Sequence, residues 1–124
     1  MALSDYRFEV QKVKDDDPLE EKKAICFSPQ GQEMGYVQFT GLEYDYCVRI
    51  QYLYVKPEFR GQGTGSALLN YLKDTYREAP IYTYISPVEK GVKLNYLMDF
   101  FAYNDFYIKP MSGFDAEGYY NFED

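Results

Sequence analysis

Three glycines, Gly61, Gly63 and Gly65, join an apolar, strand-like run to a run with helical periodicity. Glycine costs about 1 kcal/mol relative to alanine inside a helix, so three glycines in one turn sacrifice local stability. In return, few side chains screen the backbone N–H groups at the positive end of the helix that follows. A turn of this kind favours binding of a phosphate group where the strand meets the helix.

The runs on either side of this turn predict a central strand and a long helix. Residues 44–55 are rich in β-branched and aromatic side chains, which is typical of a strand covered on both faces, and Pro57 ends the strand. Residues 62–77 predict an amphipathic helix, because apolar positions recur there at helical spacing, at Gly65, Leu68, Leu69, Leu72 and Tyr76.

The remaining patterns place three strands before this pair, and a strand, a helix and a hairpin after it. Tyr6, Phe8 and Val10 alternate with polar residues, as in a half-buried strand. The other predicted elements are strands 23–27, 34–40 and 81–86, a helix over 89–103 and a closing hairpin of 106–109 and 118–122. The order β-β-β-β-α-β-α-β-β predicts a mixed α/β fold, and 124 residues fit a single domain over 1–124.

The charge balance and the missing residue types exclude several classes of function. Thirteen basic and twenty acidic side chains give a net charge of −7, so we expect no nucleic acid partner. The chain has no histidine, and Cys26 and Cys47 stand alone, so histidine-dependent triads and zinc sites are excluded and no metal is expected. No apolar run is long enough for a membrane span and no leader is recognisable, so we expect a reduced, cytoplasmic protein without a membrane partner.

The spacing around the glycines narrows the kind of phosphate ligand. No lysine follows the last glycine, as a Walker loop requires, and the dinucleotide fingerprint needs two residues before its third glycine. Residues 55–65 instead read V-x-P-x-x-R-G-x-G-x-G, with Val55, Pro57, Arg60, Gly63 and Gly65 at the defining positions. In this segment and the helix after it, the chain resembles the GNAT superfamily of acyl-CoA N-acyltransferases, and the resemblance extends over residues 44–106.

This resemblance implies a fold, a cosubstrate and a set of binding residues. The fold would be GNAT-like, a mixed, mostly antiparallel and twisted sheet of six to seven strands with two main helices, and the cosubstrate would be acetyl-CoA. In the family, main-chain groups at the end of the central strand pair with the pantetheine arm, which here corresponds to Leu53, Tyr54 and Val55. The pyrophosphate turn of the family corresponds to Arg60, Gly61, Gln62, Gly63, Thr64, Gly65 and Ser66. Asn95, in the next motif, is a further candidate for cofactor binding.

The chain departs from the family on its second predicted helix. The family often carries there a tyrosine whose hydroxyl protonates the departing coenzyme A thiolate, and Phe101 stands at that position. Asn95 lies one position away from the motif's asparagine. Tyr103 is a candidate for the missing hydroxyl. It lies two positions after Phe101, however, and at about 100° per residue this places it about 200° around the helix. Tyrosines on predicted strands are further candidates, for which core packing is the alternative role: Tyr52, Tyr54, Tyr82, Tyr84, Tyr119 and Tyr120.

A protonated amine must lose its proton before it attacks a thioester, and lysine has an ordinary pKa of about 10.4. Glu43 and Asp45, at the start of the predicted central strand, are the candidate acceptors for this proton, directly or through water. The alternative is that both carboxylates are simply the solvated end of a strand.

The segment between the first two strands predicts an open acceptor side. Family members usually carry two helices there, whereas only residues 15–21 (DDDPLEE) occupy that place in this chain. A broad, open surface suits a protein better than a small molecule, so we predict an amine acceptor on a basic protein segment. The two missing helices usually form one wall of the acceptor cleft, and a homodimer could replace that wall. Tyr96, Phe100 and Tyr103 form an aromatic stripe that the last strand or a second copy would cover.

The leading hypothesis is an acetyl-CoA-dependent N-acetyltransferase in which the amine attacks the thioester directly. The alternative from another class is a non-catalytic coenzyme A-binding interaction or regulatory module, which Phe101 favours. A variant of the enzyme hypothesis is a phage-type counter-defence acetyltransferase, which the short first half and Asn104-Asp105-Phe106 resemble.

Overall fold

The computed structural model describes residues 6–42, 46–89 and 91–122 of the chain. Within these residues the elements follow the predicted order. The strands are β1 Arg7–Lys12, β2 Lys22–Phe27, β3 Glu33–Thr40, β4 Val48–Val55, β5 Ile81–Ile85, β6 Tyr107–Pro110 and β7 Ala116–Tyr120. The helices are α1 Thr64–Thr75 and α2 Leu94–Tyr103, and a short 3-10 turn covers Pro57–Phe59.

The strands form one sheet in the order β1-β2-β3-β4-β5-β7-β6. β4 and β5 are parallel and every other neighbouring pair is antiparallel, which confirms the predicted mixed, mostly antiparallel sheet. β7 lies between β5 and β6, a position that the sequence pattern does not indicate. The closing hairpin folds back into the gap between the two strands that α2 connects.

Both helices pack against one face of the sheet and share a core with it. Leu68, Leu69 and Leu72 of α1 are fully buried and belong to the same cluster as Phe39 of β3 and Ile81 of β5. One apolar face of α2 joins this cluster, with Leu94, Leu97, Met98 and Phe101. Neither helix in the described part of the chain is long and apolar enough to cross a membrane.

The opposite face of the sheet, which we term the open face, carries no helix among the described residues. It is surfaced by tyrosines whose positions alternate with the buried ones, Tyr36, Tyr54, Tyr82, Tyr84 and Tyr119. Their rings contact one another across strands, with centroid distances of 5.6 Å between Tyr36 and Tyr54 and 5.4 Å between Tyr82 and Tyr119. The open face is therefore covered by aromatic side chains rather than by a second layer.

The segment between β1 and β2 is a turn without a helix, as its sequence predicts. The Asp17 carboxylate accepts the N–H groups of Leu19 and Glu21 at 3.0 Å and 3.2 Å. The Val13 N–H donates to the Glu21 carbonyl at 3.0 Å and closes the base of the turn. This turn occupies the place where the resemblance noted above would usually have two helices.

Several predicted boundaries are wrong, and glycine conformations explain two of them. α1 begins at Thr64 rather than at 62, because Gly63 caps it with a left-handed φ of 85°. α2 begins at Leu94 rather than at 89, after Gly91 with a left-handed φ of 88°. The central strand begins at Val48 and is not covered on both faces, since its residues 51 and 52 are exposed.

The aromatic stripe predicted on α2 does not form. Tyr96 and Tyr103 are 65% and 83% exposed. Phe100, the third member, instead packs against the core and lies beside Gly65 of α1. The helix therefore presents two solvent-facing tyrosines rather than a continuous apolar surface.

Both cysteines are buried, in agreement with their apolar sequence surroundings. Burial raises the pKa of the Cys26 thiol from 9.0 to about 11. Because the thiolate is the nucleophilic form of cysteine, this shift fits a packing role for Cys26.

Gly35 of β3 lies so close to β4 that a side chain does not fit between them. A Cβ atom there would stand 2.4 Å from the Tyr54 carbonyl oxygen and 3.0 Å from the Val55 Cα. We expect Gly35→Ala to lower the free energy of unfolding by about 1–3 kcal/mol, because the strands must move apart. Urea denaturation measures this loss, with Gly113→Ala as the control, since a Cβ at Gly113 meets nothing within 4 Å. Equal stability of the two variants would contradict the close approach.

Candidate functional site

The candidate site is a cleft that opens where the parallel strands β4 and β5 separate. Their register ends after three pairs, the last of which joins Ile50 to Thr83. On its other side β4 stays paired with β3, but this pairing skips Gln51, because Ile50 and Tyr52 pair with consecutive residues of β3. A bulge of this kind bends a strand and increases its twist. We attribute the divergence of β4 from β5 to this bulge.

The main chain of β4 beyond the bulge faces the cleft. The Lys56 N–H donates to the Met34 carbonyl at 2.9 Å, which shows which alternate residues of β4 hydrogen-bond to β3. Hydrogen-bonded residues alternate along an antiparallel strand, so the N–H and C=O groups of Leu53 and Val55 point away from β3. A ligand arm with amide groups can therefore pair with this stretch as a neighbouring strand would.

The walls of the cleft come from β4, β5, the segment after β5, and α2. They enclose about 170 Å³ and are formed by Ile50, Gln51, Tyr52, Leu53, Thr83, Tyr84, Ile85, Ser86, Val88, Glu89, Leu97 and Phe101. Glu89 is the one carboxylate among these described lining residues. A mostly apolar slot with a few polar groups is the usual composition of a small-molecule site.

The first turn of α1 presents backbone donors beside the end of β4. Gly63 provides no side-chain cap and the turn contains no acidic residue. The first N–H groups of a helix have no partner within it, so those of Thr64, Gly65 and Ser66 are available to a ligand. Gly65 is close to β4, since a Cβ on it would be 3.8 Å from the Val55 Cγ2. This turn is therefore a candidate anion site next to the cleft.

The Thr64 side chain adds an unsatisfied polar atom to the same turn. Thr64 is 1% exposed, and its Oγ1 has no hydrogen-bond partner among the described residues. A buried hydroxyl without a partner costs free energy, which a bound ligand or water would recover. The turn thus combines N–H groups that have no partner within the helix with a hydroxyl that has none among the described residues.

The Arg60 side chain lies at the mouth of the cleft rather than over the first turn of α1. Its Nε donates to the Val55 carbonyl at 2.9 Å, and a terminal guanidinium nitrogen lies 2.6 Å from the Glu89 carboxylate. Val55 ends β4 and Glu89 follows β5, so this one side chain joins the two walls.

Two phenylalanines of α2 complete the site. Phe100 packs on the start of α1, where a Cβ on Gly65 would be 2.9 Å from its ring. The glycine at this position therefore also serves helix packing. Phe101 is 6% exposed and lies in the cleft wall, so the place of the family's tyrosine holds a ring without a hydroxyl.

Two tyrosines stand in the cleft walls. The Tyr84 hydroxyl donates to the Asp115 carboxylate at 2.7 Å, and this bond raises the pKa of Tyr84. Hydrogen bonds from Ser112 and Tyr84 lower the pKa of Asp115, which keeps it ionised. Tyr52 is 47% exposed, and its hydroxyl makes no hydrogen bond to the described part of the chain. Of the two, Tyr52 is the one whose proton is not already donated.

The sequence-predicted binding residues fall into two groups. Leu53 lines the cleft, Tyr54 and Val55 continue its strand, and residues 60–66 form the turn beside it. Within the turn, the Gln62 carbonyl accepts the Tyr6 hydroxyl at 3.5 Å, which ties the turn to the start of the first strand. Asn95 is exposed on the first turn of α2 and does not line the cleft.

The sequence-predicted catalytic residues are not brought together by the described structure. Tyr103 is 83% exposed near the end of α2 and lies outside the cleft lining. Glu43 and Asp45 lie outside the described residues.

Sequence reasoning missed Gln51, Glu89 and Asp115. A signal for the bulge was present, because the aliphatic positions 48, 50, 53 and 55 contain one interval of three residues instead of two. No local pattern marks Glu89 or Asp115, since their partners lie 29 and 31 positions away along the chain.

The family comparison gives one clear match. A sequence profile of the Acetyltransferase (GNAT) domain matches residues 20–109, more than half of the chain. A search of curated proteins finds no significant match.

Several solved structures are similar to this chain. A putative acyl-CoA N-acyltransferase from Klebsiella pneumoniae superposes with a TM-score of 0.68 at 14% identity, over 93% of this chain and 96% of that one. The PaiA N-acetyltransferase from Thermoplasma acidophilum, in complex with coenzyme A, gives a TM-score of 0.64 at 16% identity, over 81% and 60%. The anti-CRISPR protein AcrVA5 gives a TM-score of 0.57 at 28% identity, over 68% and 88%.

Proposed function

Because this chain belongs to the GNAT acetyltransferase domain family, we propose that it transfers an acetyl group from acetyl-CoA to an amine of a protein or peptide. Family and fold support acyl transfer in general. One observation carries the finer proposal: the uncapped first turn of α1 and the cleft-facing main chain of β4 meet at one cleft. Phosphate groups suit the first feature and an arm with amide groups suits the second, and an acyl-CoA contains both.

The residues present fit such a ligand. The N–H groups of Thr64, Gly65 and Ser66 would hold its pyrophosphate, because no cap and no carboxylate competes in that turn. The main-chain groups of Leu53 and Val55 would pair with its pantetheine arm. When bound, acetyl-CoA supplies an acyl group that is activated as a thioester.

We propose that positioning provides much of the rate enhancement, since the cleft would hold donor and acceptor together. The Tyr52 hydroxyl would donate a proton to the leaving sulfur. It would take the role of the tyrosine hydroxyl that is absent at Phe101. Glu43 and Asp45 remain the proposed acceptors for the amine proton. Full turnover in Glu43→Gln and Asp45→Asn would remove that role.

The open face supports a macromolecular acceptor. The cleft reaches this side of the sheet between Tyr52 and Tyr84, which are 47% and 56% exposed. Enclosed sites bury most of a small ligand, whereas a protein surface can dock on a broad face. A net charge of −7 favours acceptors with basic residues.

Phe101 supports a second candidate, a coenzyme A-binding module without catalysis. Binding of the cofactor without thiol release towards any amine would favour it. Similarity to an anti-CRISPR protein supports a variant of the enzyme proposal, a counter-defence acetyltransferase whose acceptor is a protein.

Ser66→Glu tests the anion site, because it places a carboxylate in the first turn of α1. We expect coenzyme A affinity to fall about tenfold or more, since the carboxylate repels phosphate and competes for the same N–H groups. The ligand-free protein should become more stable by about 0.3–1 kcal/mol, because the negative charge favours the helix N-terminus. Calorimetric titration and thermal unfolding measure the two effects, with Ser66→Gln as the uncharged control. Unchanged affinity in Ser66→Glu would contradict the site.

Tyr52→Phe tests the proposed proton donor. We expect kcat for thiol release to fall about a hundredfold, as is typical when a general acid is removed, with unchanged coenzyme A affinity. Phe101→Tyr in this background should restore part of the rate by returning a hydroxyl to the cleft wall. Tyr96→Phe, on the exposed side of α2, is the matched control. A Tyr52→Phe enzyme with full kcat would exclude this role.

The acceptor class can be tested by competition between chemical types of amine. We expect higher kcat/KM for a lysine-containing basic peptide than for spermidine, because the open face contacts an extended chain but encloses no small molecule. Thiol release with each amine measures this ratio. The same peptide with acetylated lysines controls for background hydrolysis. Saturable turnover of spermidine that greatly exceeds the peptide would contradict a macromolecular acceptor.

A further inference from the structure

We propose that Arg60 and Glu89 form a bridge across the mouth of the cleft in the ligand-free protein, and that Arg60 exchanges Glu89 for phosphate when an acyl-CoA binds. The proposal rests on the acyl-CoA site proposed above. It assigns to Glu89 the role of an internal competitor for the cofactor, which sets the affinity of the site without touching the reacting atoms.

The bridge consists of contacts on both walls of the cleft. On the β4 side, the Arg60 Nε donates to the Val55 carbonyl at 2.9 Å, and the guanidinium lies 5.8 Å from the centre of the Tyr54 ring. On the β5 side, the other end of the guanidinium lies 2.6 Å from the Glu89 carboxylate. One side chain therefore closes a gap that the divergence of β4 and β5 has opened.

The bridge occupies groups that an acyl-CoA would use. Val55 has one of the two carbonyls beyond the bulge that we assign to the pantetheine arm, and Arg60 already donates to it. Arg60 precedes the first residue of α1 by only four positions, yet its guanidinium is bound to the Glu89 carboxylate rather than free for a phosphate at that turn. A ligand must therefore displace Arg60 from the carbonyl and Glu89 from Arg60.

Such an exchange is energetically accessible. The Arg60 and Glu89 side chains are 38% and 39% exposed, and exposed ion pairs contribute little to stability. A diphosphate offers more oxygen acceptors than one carboxylate, and arginine matches its geometry with paired N–H groups. The released Val55 carbonyl would then accept a hydrogen bond from the arm of the ligand.

Glu89→Gln gives the direct test, because it weakens the bridge and leaves Arg60 in place. We expect the dissociation constant for coenzyme A, measured by calorimetry, to fall about two- to fivefold relative to the unmodified protein. Glu58→Gln is the control for the loss of one negative charge, since Glu58 is exposed in the same turn and forms no ion pair among the described residues. In an Arg60→Ala background, Glu89→Gln should increase coenzyme A affinity no more than Glu58→Gln does.

Hydrogen exchange provides a readout that does not depend on activity. Without ligand, Glu89→Gln should exchange faster than the unmodified protein in peptides from residues 55–62 and 84–89. With saturating coenzyme A the two proteins should exchange alike, because the bridge is already open in both.

The outcomes separate this proposal from the proposed function. Equal or weaker coenzyme A binding in Glu89→Gln than in Glu58→Gln would overturn the bridge while leaving the cofactor site intact. Unchanged hydrogen exchange in the ligand-free variant would also overturn it. No coenzyme A binding by the unmodified protein would overturn both proposals.

Discussion

The separation of β4 from β5 is the constraint on which the rest of this structure depends. β4 remains paired with β3 throughout, so the bulge at Gln51 opens the sheet on one side only. The backbone groups that lose a strand neighbour are then presented to a ligand instead of to solvent alone. Because α1 follows β4 after a short turn, the positive end of the helix lies beside the same opening. The bulge thus exposes one half of the candidate cofactor site, and the connection from β4 to α1 places the other half beside it.

The aromatic content of the chain acquires a physical explanation from the two faces of the sheet. Phenylalanines such as Phe39 and Phe101 fill the face covered by the helices, whereas tyrosines surface the open face. A tyrosine buries its ring against neighbours while its hydroxyl remains hydrogen-bonded, which suits a sheet face without a second layer. Glu117 accepts the hydroxyls of Tyr82 and Tyr119 at 2.6 Å and 2.9 Å, and these bonds lower its pKa. Part of the tyrosine excess is therefore the surface of an uncovered sheet, while other tyrosines pack against the core on the helix side.

Gly65, the third glycine of the turn, is required by helix packing as well as by the proposed ligand. A phosphate site needs exposed N–H groups, but Gly65 also has to admit the Phe100 ring, which would lie 2.9 Å from a Cβ. This contact places α2, and with it the Phe101 ring, against the start of α1. The turn that would hold the phosphates and the helix that lines the cleft are thus positioned by one packing contact.

The sequence by itself determined the element order, the mixed sheet, the apolar face of α1 and the location of the glycine turn. These properties are local, since hydrophobic periodicity and turn chemistry act over neighbouring residues. It misplaced the starts of α1 and α2 and assigned Phe100 to an aromatic stripe covered by the last strand or a second copy, because left-handed glycines and contacts between helices override periodicity. Only the tertiary structure decided that β7 lies between β5 and β6, that β4 parts from β5, and that Arg60 reaches Glu89. These features depend on strand register and on residues 29 or more positions apart, whose approach no local pattern encodes.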